Sequence, residues 1–178
     1  GEVGSGKRAL ARMIHDRSRL ASKPFEAIRA PALDPSDELH GTVYVRDAGD
    51  LQPQAQADLA IALRRPAPPR WIFALDEPLD VAVDEGAFSR SLLEAMSAFP
   101  IAIPPLRERQ EDIPLIATAI LSSRPHEPGQ EIGLTSEALA ALVAYDWPGN
   151  VRQLESTLET MARRSRSEEH TSELQSLT

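Results

Sequence analysis

The chain has 178 residues, 42% of them hydrophobic and 26% charged, with a formal net charge of −8. These are the proportions of a globular domain, alone or with a small appendage, and no apolar run reaches the length that would cross a bilayer. The absence of cysteine excludes disulfides and thiolate metal sites and fits a reducing cytoplasm. His15, His40, His126 and His170 lie too far apart for metal-ligand spacing, and the acidic balance excludes strong non-specific nucleic-acid binding. Any contact with DNA must therefore come from a separate domain.

In chain order, Lys7 to Arg19 carries Leu10, Met13 and Ile14 at helical spacing. Pro24 to Ile28 reads as a short strand, and Thr42 to Val45 (TVYV) as a buried one. Pro53 to Arg65 predicts a helix with Leu59, Ala62 and Leu63 on one face and proline tolerated in its first turn. Trp71 to Leu75 predicts a third strand, Phe88 to Ala98 a helix, and Phe99 to Ile103 a last strand stopped by Pro104 and Pro105. From there only helices are expected. They are Ile113 to Leu121, then Ser136 to Tyr145 capped by Thr135, then Asn150 to Arg164 with Asn150 and Gln153 as a capping box. Ser122 to Gly133 is polar, rich in Pro and Gly, and reads as a loop. The pattern predicts an α/β fold, a parallel sheet sandwiched by helices, followed by a small helical subdomain. The borders fall at 1–111 and 112–165.

Gly1 to Lys7 reads GEVGSGK and runs directly into a helix. In the pattern G-x-x-x-x-G-K, glycines let backbone N–H groups turn toward phosphate oxygens, the helix N-terminus adds its positive dipole end, and the lysine neutralises charge. Gly1, Glu2, Val3, Gly4, Ser5, Gly6 and Lys7, with Arg8 beside them, are thus the candidate nucleotide-binding residues. Arg8 stands where the general motif has the Ser or Thr that touches magnesium.

The stretches KPFEAIRAPAL, GTVYVRDAGDLQPQAQADL, FPIAIPPLRERQEDIPL and LTSEALAALVAYDWPGNVRQLE follow in that order. Together with the phosphate loop they resemble the central AAA+ domain of sigma-54-dependent transcription activators, the bacterial enhancer-binding proteins. The resemblance covers residues 1–165. It implies a ring-forming ATPase with an α/β subdomain and a helical lid that remodels sigma-54 RNA polymerase. It also implies that Arg152 is the lid arginine that senses the γ-phosphate of ATP.

Several positions depart from that pattern. The family's Asp-Glu pair falls on Arg46 and Asp47; a guanidinium cannot ligate Mg²⁺, and Asp47 is one methylene shorter than glutamate. Shifting the alignment by one residue would make Asp47 the metal ligand but would break the match of Gly49 and Asp50. The polar sensor after the next strand falls on Glu77. The two arginine-finger positions hold Ser89 and Ala95, and Arg90 reads as a solvated surface charge. The loop that contacts sigma-54 has no residues to build it, because Ala32 to Gly41 runs almost directly into the strand Thr42 to Val45. Arg166 to Ser176 (RSEEHTSELQS) resembles a translated sequencing adapter, which makes 166–178 a non-native tail, and the chain starts inside a motif without a methionine.

The expectation is a degenerate, cytoplasmic AAA+ module that binds ATP, with Asp47 as its remaining catalytic candidate, no protein-built metal site and Mg²⁺ in question. Its expected partners are other AAA+ subunits in a homo- or hetero-oligomer, and contact with sigma-54 RNA polymerase is not expected. Two further readings stay open: an active ATPase completed by its ring neighbours, and a decayed or misassembled gene fragment.

Overall fold

Four successive residues of TVYVR, Thr42 to Val45, are buried, while Arg46 at its end is exposed. A strand covered on both faces belongs in the middle of a parallel sheet, and this one is there. The computed structural model describes residues 1–66, 68–123 and 133–176. In it β2 (Thr42–Arg46) pairs in parallel with β1 (Phe25–Arg29), Phe25 opposite Thr42, and with β3 (Arg70–Phe73), Thr42 opposite Arg70. The chain divides into two units. One holds Gly1–Glu2 and Gly6–Ile103; the other holds Val3–Ser5 and the chain from Pro104 onward.

In the first unit, alternation along β2 sends Val43 and Val45 to one face and Tyr44 to the other. Val43 and Val45 join a core with Leu59 of α2 (Pro53–Ala62), Val83 of α3 (Asp80–Asp84) and Leu92 of α4 (Arg90–Met96). Tyr44 packs with Ala74 and with Ala11 of α1 (Lys7–Asp16). Helices therefore cover both faces, and the α/β expectation is met. Two buried polar groups are satisfied in place. His15 Nδ1 and Thr42 Oγ1 are 2.9 Å apart. The Gln56 amide donates to Leu51 O and Ala87 O and accepts from Ser89 N, which ties α2 to the start of α4.

The expected strand Phe99 to Ile103 does not form; the segment is irregular, with Phe99 91% exposed and Ile101 60% exposed. A strand needs a neighbouring ladder, and Pro100 brings no N–H to one. Between this segment, β3 and α1 lies a cavity of about 710 Å³ lined mainly by apolar groups, among them Leu10, Ile14, Phe73 and Met96. Among the described residues the sheet has three strands in the order β1-β2-β3. The short helix α3 was not legible in the sequence.

The second unit is helical. α5 (Ile113–Ser122), α6 (Ser136–Ala144) and α7 (Asn150–Ser176) gather around Leu106, Ile113, Trp147, Leu154 and Leu158, all buried. Trp147 donates its indole N–H to Leu142 O at 2.7 Å. Thr135 caps α6 as expected, its hydroxyl accepting from Ala138 N. The unit begins at Pro104, upstream of the border at 111/112 read from the sequence, because Leu106 is fully buried in this core. The helix α7 continues past Arg164, since RSEEHTSELQS holds no Gly or Pro to stop it. The predicted loop Ser122 to Gly133 lies mostly outside the described residues, as do 177–178. No helix among the described residues is long and apolar enough to cross a membrane.

Candidate nucleotide-binding site

At the head of α1, Gly6 has φ +103°, a left-handed conformation that glycine takes without steric cost, and it leads the chain into the helix at Lys7. The first turn of α1 carries no acidic side chain of its own to engage its N–H groups. Lys7 turns its ammonium back on the loop, donating to Gly1 O at 2.6 Å and Glu2 O at 2.8 Å. The carboxylate of Asp76, just beyond β3, completes the set at 2.5 Å. Arg8 is exposed. Lys7 and Asp76 both line the 710 Å³ cavity.

Residues Val3 to Ser5 are fixed within the second unit. Asn150 Nδ2 donates to Val3 O at 3.1 Å, Arg152 N to Gly4 O at 3.3 Å, and Arg109 Nη2 to Ser5 O at 2.7 Å. Gly4 has φ +77°, and a Cβ there would fall 2.3 Å from Gly149 O. The hydroxyl of Ser5 and the Nε of Arg109 are buried without a hydrogen-bond partner among the described residues. Buried polar atoms left unsatisfied are costly, so these two are available donors for an anion or a water. The Arg152 side chain is exposed.

Asn150 is the first residue of α7, and its side chain reaches beyond that helix. Its Oδ1 accepts from the buried Leu106 N at 2.7 Å, its backbone is left-handed at φ +54°, and Gln153 Oε1 accepts from Gly149 N at 2.8 Å. The motif GNVRQLE is therefore a bracket for Leu106 and Val3 as much as a helix start. Replacing Asn150 with Ala would strand the Leu106 N–H and force a less tolerant residue into the left-handed region. The expected loss is about 2–4 kcal/mol of stability in the second unit. Urea unfolding of the full chain should show a lower midpoint; an unchanged midpoint would contradict this role for Asn150.

Asp47 also has a left-handed backbone, φ +55°, and its carboxylate pairs with Arg29 Nε at 3.2 Å. Arg46 is exposed beside it. The carboxylate that meets Lys7 is thus Asp76, one residue before the Glu77 singled out in the sequence. Ser89 caps α4, its hydroxyl accepting from Leu92 N, while Arg90 pairs with Asp84 at 2.9 Å and Ala95 is exposed. Among the described residues no three His, Asp or Glu side chains gather as a metal site. Sequence reasoning singled out neither Asp76, which meets Lys7 in the first unit, nor Arg109, which meets Ser5 in the second. For Arg109 the signal was the intact LRER stretch; for Asp76 it was an acid directly after an apolar strand that follows the phosphate loop in sequence.

A phosphate loop opening a helix, a parallel sheet and a trailing helical unit together define an AAA+ module. The family models agree in both parts: residues 1–106 match the sigma-54 interaction domain, and residues 107–177 match the AAA+ ATPase lid domain. The chain belongs to the sigma-54 interaction domain family. It is 35% identical to the transcriptional regulatory protein XylR of Pseudomonas putida, covering 89% of this chain and 35% of that protein. To the anaerobic nitric oxide reductase transcription regulator NorR of Serratia proteamaculans it is 31% identical, covering 99% and 43% respectively. The chain thus spans less than half the length of these curated relatives. In structure it is similar to NtrX of Brucella abortus in complex with ATP, with TM-score 0.75, 26% identity, and coverage of 89% of this chain and 43% of that one. The NtrX structure in complex with ADP gives TM-score 0.70 and 28% identity, covering 89% and 44%.

Proposed function

We propose that this chain is a nucleotide-binding AAA+ module of a bacterial transcription regulator, with little or no capacity to hydrolyse ATP and without the loop that engages sigma-54. It acts in the cytoplasm through contacts with other AAA+ subunits or attached domains, and DNA is held by a domain outside this chain. The observation that carries nucleotide binding is the collar of Gly1 O and Glu2 O around the Lys7 ammonium at the head of α1. It fixes the cation beside free helix N–H groups, the arrangement that takes a phosphate. NtrX, similar in fold, is known in complex with ATP and ADP. Phosphates would be held by Lys7 and the N–H groups at the head of α1, and the family resemblance gives Arg152 the role of lid cation.

A divalent cation fits these residues poorly. Arg8 occupies the position where the general phosphate-loop motif has a hydroxyl, Arg46 the one where the family resemblance puts an aspartate, and Asp47 is engaged by Arg29. The proposed shortening of the sigma-54 region would account for a difference in length from a relative. The XylR alignment extends over 198 positions, whereas 89% of a 178-residue chain is about 158, so about 40 positions of the relative have no counterpart here.

Titration calorimetry of the full chain with ATP and with ADP tests the reading. Heat of binding that weakens about tenfold or more in Lys7→Ala is expected, as for loss of a charge-assisted contact to phosphate. No heat at millimolar nucleotide from a folded sample would refute it.

A further inference from the structure

We infer that Asp76 is a built-in rival of the nucleotide: its carboxylate occupies the donor of Lys7 that a phosphate would take, and so sets how readily this site fills. The inference rests on the nucleotide-binding reading above. An ammonium has three N–H donors. Those of Lys7 meet three acceptors, Gly1 O at 2.6 Å, Glu2 O at 2.8 Å and Asp76 Oδ1 at 2.5 Å. The first two acceptors are loop carbonyls close in sequence, which hold the side chain in place. The third is the only charged partner of the three, arrives from the far end of β3, and is the one an incoming anion must displace.

Displacement does not remove Asp76. It stays within reach of the phosphate that replaces it, and like charges so placed repel. Burial decides how strong the effect is. The Lys7 side chain is 17% exposed and that of Asp76 37% exposed, so solvent screens the pair in part and the effect is moderate. The consequence is a site in which polyphosphate anions bind against a standing penalty. Any event that draws Asp76 away from Lys7 would raise occupancy without touching the phosphate loop.

The experiment compares the full-length chain with its Asp76→Asn variant by titration calorimetry with ADP and ATP, each with and without Mg²⁺, at two salt concentrations. Asparagine keeps size and shape and removes only the charge. Glu85→Gln, an exposed change of the same charge with no tie to Lys7, serves as the control. Asp76→Asn is expected to bind about three- to tenfold more tightly at low salt, with the gain shrinking as salt rises. Glu85→Gln should bind like the parent. Matching unfolding midpoints for all three would separate the effect from altered stability.

Equal affinity in Asp76→Asn and the parent overturns the inference while nucleotide binding stands. Weaker binding in Asp76→Asn only when Mg²⁺ is present also overturns it, and would make Asp76 a cation ligand instead. No binding by parent or variant refutes the nucleotide reading and this inference with it.

Discussion

Steady-state phosphate release from this chain should be at least ~10³-fold slower than from a complete sigma-54 activator, the lower end of what an arginine finger alone contributes to phosphoryl transfer. Three separate deficits lead there. At the end of β2 stands Arg46, a cation, and Asp47 beside it has its carboxylate turned to Arg29 at 3.2 Å. At the head of α4 the residue that the family resemblance aligns with a finger arginine is Ser89, whose hydroxyl caps the helix. The nearest arginine, Arg90, is paired with Asp84, and position 95 is an exposed alanine. Because the deficits lie in different groups, Arg46→Asp alone should not restore turnover; the finger positions would still be empty of charge. A coupled assay of phosphate release, run with Lys7→Ala as the background, measures this. Turnover of about one per second, within the ordinary enzymatic range and lost in Lys7→Ala, would mean that other groups do the chemistry.

Open-complex formation by sigma-54 holoenzyme should likewise fail with this chain as the only activator module. Coupling to sigma-54 in the family uses a loop extended from the α/β subdomain. By the family resemblance, the stretch that stands in its place here is the tight turn that follows Leu33. Asp34 accepts from both the N–H and the hydroxyl of Ser36, at 2.9 and 2.6 Å, and these bonds hold its carboxyl below the usual aspartate range. Leu33 and Pro35 are buried, and the exposed residues Asp34, Ser36, Asp37, Glu38 and His40 include no aromatic of the kind that dominates interface energy. Transcription from a sigma-54 promoter and co-sedimentation with the holoenzyme, both with a transition-state analogue of ATP, test this. Analogue-dependent binding or any open complex would refute it.

The fold was legible wherever one element's own residues decide its structure. The run TVYV made the central strand, Thr135 capped its helix, and the apolar stripe Leu154 and Leu158 went into the second core. It failed where a neighbour decides. Phe99 to Ile103 has the composition of a strand, but pairing is a property of two segments, and the structure leaves this one without a ladder. The site followed the same division. The turn into α1 could be read from spacing because local backbone geometry, Gly6 at positive φ, makes it. Asp76 could not, since it lies in a bend beyond β3 and only the fold brings its carboxylate to Lys7. Asn150 looked like a cap because its type and spacing fit one. Spacing could not show that its side chain also meets Leu106 and Val3, both more than forty positions away in sequence.

The approach of Gly4 to the Gly149 carbonyl bears on how this sequence can drift over generations. The space a methyl group would need at position 4 is filled by backbone, which no neighbouring rotamer change can clear, and position 149 is closed in turn by Gln153, with a Cβ there 2.8 Å from that residue's own. Selection can erode the exposed Arg46 or Ala95 one step at a time, each change tolerated alone. The pair Gly4 and Gly149 allows no such gradual path. A lineage that had abandoned hydrolysis long ago would still keep both glycines for as long as the chain had to fold.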